Sequence, residues 1–587
     1  MYAYTSRNNT YRHDVDLLKG IAIIAVFLYH AGWCKSGYLG VDVFFVLSGY
    51  LIVPRVMGQI ANGTFNYWRF LEKRLFRLLP LVLLVNFIAL LVGYWVMLPG
   101  DYRYLSEEAI AASFFGDNIL EAIVTQNYWA AIYHKILMHT WFLGVLFQFY
   151  VVFPLLMMLM RRRMQKGLII LTLLSLLLYL LPIDSIGNKY YLLPYRFFEL
   201  SVGGLIMIRP SNRSNLLYNA SLICLFLMVF FGAFTIGERA MPYNLEGGTN
   251  TIRESFLPRE IILLLTVSFT VLFLFSKSEK NRISTFARRS RILSPLGRMS
   301  LSIFLWHQPL IAFYRYLYAD DLSVVVLLSV TFLTLILSFI SYRLIEQRIR
   351  ISLISRLFLM IAFSAVVLFA LRIYQQGGVV RDVPELDIKK GMSDPEFFER
   401  YTDRIYQYDR DFSDDSNRQK ILIIGNSFAR DFANILLESP DSAHIQISYH
   451  PGFGGCPMSR IRQCDRIYYF GWKHQVPDSV WSNVKKETEI WGIGTKNHGK
   501  GNGVFYKNRN RSDYFSQRVA IHEDFHQVNR LLHDEWGNHY VDLMSLTQLP
   551  DGTFPVFTPG HHYITYDGKH LTPAGTIYYM EQMYKHK

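Results

Sequence analysis

The chain has 587 residues, 51% of them hydrophobic and 16% aromatic, and a formal net charge of +14. It is too apolar to be wholly soluble and too polar to lie entirely within a bilayer. Much of the positive excess falls in short loops between apolar runs, where it sets membrane topology, so no nucleic-acid partner is expected.

Apolar runs long enough to cross a bilayer recur at about 15–33, 38–57, 76–97, 141–160, 167–183, 189–208, 215–236, 258–276, 297–317, 321–345 and 355–374, eleven in all. The first 13 residues are polar and lead straight into the first run, so no cleavable signal peptide is expected. Arg55, Arg69, Lys73, Arg74 and Arg77 lie between the second and third runs, and Arg161, Arg162, Arg163 and Lys166 follow the fourth. Arg209 and Arg213 follow the sixth, and Lys277, Lys280, Arg282, Arg288, Arg289 and Arg291 follow the eighth. Arg343, Arg348, Arg350 and Arg356 flank the join of the tenth and eleventh. These loops alternate with poorly basic ones and define the cytoplasmic side. An odd number of spans then leaves the N-terminus inside and residues 375–587 outside.

Residues 375–420 read as a polar linker, and the pattern after 420 changes to a soluble α/β domain. KILIIGNS at 420–427 predicts a buried strand ending in a turn, and FARDFANILLES at 428–439 the helix that follows. The expected organisation is a membrane domain over 1–350, a linking helix over 351–375, an outer linker over 376–419 and a soluble domain over 420–587. Four cysteines are present; Cys34 and Cys224 lie in or beside spans, and Cys456 and Cys464 lie close together in the tail. In an oxidising compartment that last pair forms either a disulfide or two unpaired thiols.

The first run carries charge where charge is expensive. Lys19 and His30, eleven residues apart, project from one helical face about 16 Å apart, with Asp16 one turn before the lysine. Ionisable groups at that depth line a bundle interior or wet cavity; the plainer alternative is a snorkelling lysine and a histidine at the outer end. Arg74 and Arg77, three apart, present two forked guanidiniums suited to phosphates, or equally to a positive-inside anchor. In the tail, Ser427 sits where strand gives way to helix, a place for a nucleophile beside helix N–H groups or for a simple N-cap. Asp567 and His570 lie three apart before a final helix, with Thr572 its expected cap and Pro573 in its first turn, an arrangement in which the Asp orients the His and the His activates Ser427.

Lys19, ten residues, His30 and then GVDVFFVLSGYLI at 40–52 resemble the first two helices of the acyltransferase-3 family, with lysine in place of its usual arginine. EKRLFRLLP at 72–80 is similar to that family's RxxR motif, HTWFLGVLFQFYVVFP at 139–154 to its fourth helix and PYRFFELSVGGLI at 194–206 to its RFxE segment. GRMSLSIFLWHQPLI at 297–311 and SYRLIEQRIR at 341–350 resemble its closing helices, in which His307 is read as a hydrogen-bonding residue of the bundle rather than a catalyst. The resemblance covers about 11–347. It implies His30 as base or acyl carrier, and Lys19, Arg74 and Arg77 as donor-binding residues. One departure is Leu146 and Phe147 where members often carry acids; a proton relay would then use Asp42 or Glu199, or the step would be lacking, and Glu199 is placed to pair with Arg196.

Ser427 followed late in the chain by Asp-x-x-His resembles the SGNH hydrolase and transferase fold, a three-layer α/β domain with a mostly parallel sheet. That resemblance implies catalytic Ser427, Asp567 and His570, with oxyanion donors from Gly455 and Asn497. Two departures stand out. Asn426 replaces a frequent Asp before the nucleophile, and 472–493 shows no clear buried strand, which implies a shortened sheet.

The expected architecture is therefore a multi-span α-helical membrane domain, about ten core helices plus one linking helix, followed by an α/β three-layer SGNH-like domain. The expected function is a membrane O-acetyltransferase of the bacterial inner membrane. It takes acetyl from cytoplasmic acetyl-coenzyme A and delivers it to a surface polysaccharide or lipid-linked glycan, the lipopolysaccharide O-antigen first, because the sequence ends at the soluble domain without a wall anchor. No metal is expected. Rival readings are a proton-coupled carrier or flippase of glycan precursors, a membrane-tethered carbohydrate esterase, and an outer domain that only binds glycan.

Overall fold

The computed structural model describes residues 12–124, 135–181, 189–206, 214–232, 236–240, 251–255, 259–276, 285–286, 290, 292–318, 322–392, 397–413, 418–496 and 501–585. The chain forms two compact units, Met1–Trp95 with Asp101–Glu238 and Arg253–Tyr374, and Val96–Gly100 with Arg239–Ile252 and Gln375–Lys587.

The first unit is helical. Each of the eleven predicted apolar runs carries a helix: α1 (His13–His30), α2 (Leu39–Ala61), α3 (Tyr67–Val96), α6 (Trp141–Leu159), α7 (Met164–Leu180), α8 (Leu193–Leu205), α9 (Asn215–Phe231), α10 (Arg259–Phe275), α12 (Ser300–Tyr318), α13 (Val324–Ser341) and α14 (Leu353–Gln375), with the short α11 (Leu293–Arg298) leading into α12. Among the described residues, five helices are long and apolar enough to cross a membrane: Leu39–Ala61, Tyr67–Val96, Met138–Leu159, Val324–Glu346 and Leu353–Gln375. Two helices lie outside the predicted runs, α4 (Pro99–Ser113) and α5 (Asp117–Val124). The α2–α8 contact is set by small residues, because in lipid close backbone approach replaces the hydrophobic effect as the source of packing. A Cβ on Gly49 would stand 1.6 Å from the Leu200 carbonyl oxygen, and one on Gly203 would stand 2.0 Å from that of Val46.

The second unit holds a five-stranded, wholly parallel sheet of β1 (Gln419–Ile424), β2 (Ile445–His450), β3 (Arg466–Tyr469), β4 (Glu489–Ile493) and β5 (Tyr540–Val541), in the order β2-β1-β3-β4-β5. Successive residues of β1 point to opposite faces. Ile421 and Ile423 enter a core with Phe428, Phe432 and Ile435 of α15 (Ser427–Leu437) and Tyr579 of α17 (Pro573–Lys585). Leu422 and Ile424 enter another with Val528, Leu532 and Trp536 of α16 (Glu523–Trp536). Helices therefore cover both faces, and the unit has three layers.

Two expectations need correction, and the alternative left open for the cysteines is decided. The segment 472–493 does contain a strand, β4, paired with β3 and β5; its Ile490 and Ile493 are buried, and Trp536 packs so closely on Gly492 that a Cβ there would meet the indole at 2.5 Å. The stretch read as a linker is part of the second unit: Val379, Val383, Leu386 and Ile388 join one of its cores and Ile405 another. Cys456 and Cys464 are both free and buried in the core with Trp536. Burial pushes the thiols up to about 11 and about 12 respectively.

Candidate active site

In the first unit, Lys19, Arg74 and Arg77 line one pocket of about 980 Å³, open mouth included, together with Arg55 and Arg298. Five cations from α1, α2, α3 and α11 thus converge on a single space. Lys19 keeps Asp16 at 3.6 Å, and α11 reaches this end of α1 through Gly297, where a Cβ would stand 1.8 Å from the Asp16 carbonyl oxygen. Arg74 lies over the rings of Phe70 and Tyr150 at 5.3 and 5.8 Å, and its Nε has no hydrogen-bond partner among the described residues. Planar cations with spare donors suit phosphate oxygens. The apolar part of the lining includes Phe142 and Phe304.

Phe304 links this pocket to a buried cluster of three histidines. Its ring lies 5.2 Å from His139 and 5.8 Å from His307. His30, at the end of α1, places Nδ1 2.8 Å from His307 Nε2. His307 Nδ1 faces the carbonyl oxygens of Ile303 and Phe304 at 3.1 and 2.7 Å. Carbonyls only accept, so Nδ1 of His307 carries the hydrogen and Nε2 of the neutral ring accepts. His30 must then donate from Nδ1, which leaves its Nε2 bearing the lone pair. The helix backbone thereby selects which nitrogen of His30 keeps its lone pair.

His139 precedes α6, on a segment held by three acids of the two unpredicted helices. Lys135 pairs with Glu121 at 2.6 Å, the Leu137 amide donates to Glu108 at 3.0 Å and the Thr140 hydroxyl donates to Asp117 at 2.9 Å. Elsewhere in the bundle, Arg196 bonds Glu199 at 2.6 Å, as its spacing predicts, and also Asp42 at 3.0 Å, all three fully buried. One cation faces two carboxylates, so the trio is short of one positive charge unless a proton joins it. Position 147, where the resemblance implies an acid, instead stacks Phe147 on Phe115 at 4.3 Å.

In the second unit the turn after β1 exposes a serine. Gly425 has φ +140°, and a Cβ there would meet Phe470 at 2.9 Å and Ala429 at 3.0 Å, so a glycine is required. Asn426, not Ser427, is the helix cap: its side-chain oxygen accepts the Phe428 amide at 2.9 Å. That leaves the Ser427 hydroxyl free to lie 2.8 Å from His570 Nε2. His570 Nδ1 lies 2.6 Å from Asp567 Oδ2, and Asp567 Oδ1 accepts the amides of Lys569 and His570, each at 2.8 Å. Burial pushes the Asp567 carboxyl up, but the hydrogen bonds from His570 and the two amides outweigh it and hold it below the usual carboxylate range. As predicted, Thr572 caps α17, its hydroxyl accepting the Gly575 amide at 2.9 Å. Gly455 lies in the left-handed region at φ +83°, in the loop after β2, at the same sheet edge as the serine turn. Asn497 lies outside the described residues.

The acyltransferase-domain family profile matches residues 12–343. The chain belongs to this acyltransferase family. The match takes in α1, the cation-lined pocket and all three histidines. The protein named membrane-bound transacylase BcsY of Komagataeibacter xylinus is 26% identical over 57% of this chain and 82% of its own length. The O-acetyltransferase OatA of Staphylococcus aureus (strain NCTC 8325 / PS 47) is 27% identical over 58% of this chain and 57% of its own. The peptidoglycan O-acetyltransferase OatA of Listeria monocytogenes is 27% identical over 52% of this chain and 50% of its own. The chain thus spans little more than half the length of the OatA relatives. No solved structure matches it.

Within this acyltransferase domain, the sequence singles out the pocket cations and His30 and reads His307 as a hydrogen-bonding residue, but does not join His139 and His307 in one cluster with His30. His139 and His307 are 109 and 277 residues away from it in sequence, and no local pattern joins them. The available signal was that each is an ionisable residue beside or inside an apolar run.

Proposed function

We propose that this protein is a multi-pass membrane O-acetyltransferase of the bacterial inner membrane. It takes acetyl from cytoplasmic acetyl-coenzyme A and places it on a hydroxyl of an extracytoplasmic glycan. The cation-lined pocket receives the phosphates of the donor, and His30 Nε2 serves the acetyl group as base or carrier. The second unit is an SGNH-type domain facing the outside, a reading supported by its three layers and its β2-β1-β3-β4-β5 order. Strand β4 removes the ground for treating that unit as a mere glycan binder.

The observation that carries the proposal is the Ser427–His570–Asp567 relay in a chain whose first half is an acyltransferase domain. As Ser427 Oγ bonds to the acetyl carbon, its proton passes through His570 Nε2 to the departing carrier as the bond from the acetyl group to that carrier breaks, which returns His570 to its neutral form. A sugar hydroxyl then attacks the acetyl-serine, and the sugar proton passes through His570 back to Ser427 as the ester bond breaks. Asp567 holds the imidazole by Nδ1 and stabilises its charged form.

The test is the O-acetyl content of surface glycans, read by NMR, in a deletion strain carrying wild type, Ser427→Ala or His30→Ala. Lipopolysaccharide O-antigen is the first acceptor to assay. The OatA names favour peptidoglycan as the second. Acetyl restored by wild type alone supports the two-site reading. Acetyl unchanged between deletion and wild type in both glycans rules it out. Acetyl lost from glycan only when the enzyme is present marks an esterase instead.

A further inference from the structure

We propose that the buried ion pair Asp431–Lys496 is a positioning device for His570. The inference rests on the reading of Ser427 as a nucleophile. The two side chains, 0% and 1% exposed as residues, meet at 2.5 Å between the layers of the second unit. Asp431 follows Ser427 by one turn of α15 and shares its face. Lys496 lies three residues beyond β4 and places its ammonium 4.4 Å from the centre of the Phe428 ring.

Each partner also grips the backbone beside the histidine. The Lys496 ammonium donates to the Lys569 carbonyl, the peptide immediately before His570. Asp431 Oδ2 accepts the Leu571 amide at 3.1 Å, the peptide immediately after it. The cation thus meets a carbonyl oxygen and the anion meets an N–H, so each dipole matches the charge it faces. The two polar groups of His570 itself are bonded as well, its amide to Asp567 and its carbonyl to the Tyr566 amide. The backbone that carries the imidazole is therefore tied to the helix that carries the serine directly through Asp431 after the histidine and through the Lys496–Asp431 pair before it. A buried ion pair is weak evidence for stability, since apolar replacements of such pairs are often neutral. Placement of His570 gives this one a reason to exist.

The test uses the full-length protein in lipid nanodiscs with p-nitrophenyl acetate, which it would hydrolyse to acetate and p-nitrophenol at Ser427, a Ser427→Ala blank being subtracted. The variants are Asp431→Asn, Lys496→Met, and the double Asp431→Leu with Lys496→Met, which leaves no unpaired buried charge. Each is expected to lower kcat by about 100-fold, the scale of a small misplacement, with KM within about 3-fold. The same substitutions are then placed in His570→Ala, and activity is rescued with free imidazole, a base that needs no placement by the chain. The rescued rate is expected to be the same with and without the pair. Wild-type kcat in the double variant overturns the proposal. So does a rescued rate that falls as far as kcat did, because the pair would then shape the whole site rather than His570. An inert wild type, with no Ser427-dependent turnover, removes the nucleophile reading itself and the inference with it.

Discussion

Which nitrogen of His30 keeps its lone pair is decided by two backbone carbonyls that His30 does not touch. Because His307 Nδ1 must donate to Ile303 and Phe304, His30 is left with its lone pair on Nε2. His307→Leu removes the acceptor for His30 Nδ1 and frees the ring to flip or change tautomer. Glycan acetylation should fall by about 100-fold or more, as when the orienting partner of a catalytic histidine is lost. His307→Gln offers a carbonyl oxygen near the place of Nε2 and should recover most of that loss; equal damage from both substitutions would assign His307 to packing. The cysteines give a second prediction at this scale. Burial raises both thiols above the ordinary value of about 8.5, so the folded state holds protons that the unfolded chain releases. Their contribution is complete below about pH 8.5 and is lost as pH rises through about 11 to 12. Native protein at pH 8 should leave Cys456 and Cys464 unmodified by iodoacetamide, while unreduced, denatured protein should be modified at both. Failure to modify the denatured chain without reductant would restore the disulfide.

At the scale of elements, the α2–α8 contact leaves no room for a side chain. Gly203→Val pushes atoms into the Val46 carbonyl and should lower the melting temperature of the detergent-solubilised protein, at a cost of about 1–3 kcal/mol or more. Gly232→Ala, whose nearest neighbour would be 3.6 Å away, should change it little. Element boundaries were legible wherever one physical term dominated. Each of the eleven apolar runs carries a helix, as expected where a segment in lipid must satisfy its backbone within itself. Helix α4 is hard to read because its apolar surface is a stripe, with Tyr102, Leu105, Ala109 and Ala112 buried and Arg103, Ser106, Glu107 and Glu108 interrupting the apolar run. Strand β4 escaped notice because it is five residues long and contains a glycine; Trp536 from a distant helix supplies the packing that a larger local side chain would otherwise provide. The serine turn and the Asp567–His570 spacing were readable because both are local. The ion pair of Asp431 and Lys496 was not, since its members stand 65 residues apart on different elements.

For the whole molecule, the serine relay lies entirely within the second unit, and the histidine cluster entirely within the first. His30→Ala should therefore abolish glycan acetylation yet leave the labelling rate of Ser427 by a fluorophosphonate within about 2-fold of wild type; Ser427→Ala should lose both, and His570→Ala should slow labelling by about 100-fold or more. A labelling rate that collapses in His30→Ala would mean that the serine depends on the membrane part for its reactivity. The pairing of His30 with His307 has a final consequence for the cycle. A proton taken up on Nε2 would leave Nδ1–H and its bond to His307 in place, whereas an acyl group there would make the Nδ1 proton acidic enough to cross that bond to His307 Nε2, and neither change requires the ring to turn. If His30 carries the acetyl group as proposed, its imidazole can pass through free, protonated and acylated forms in one fixed orientation, with no ring rotation between them.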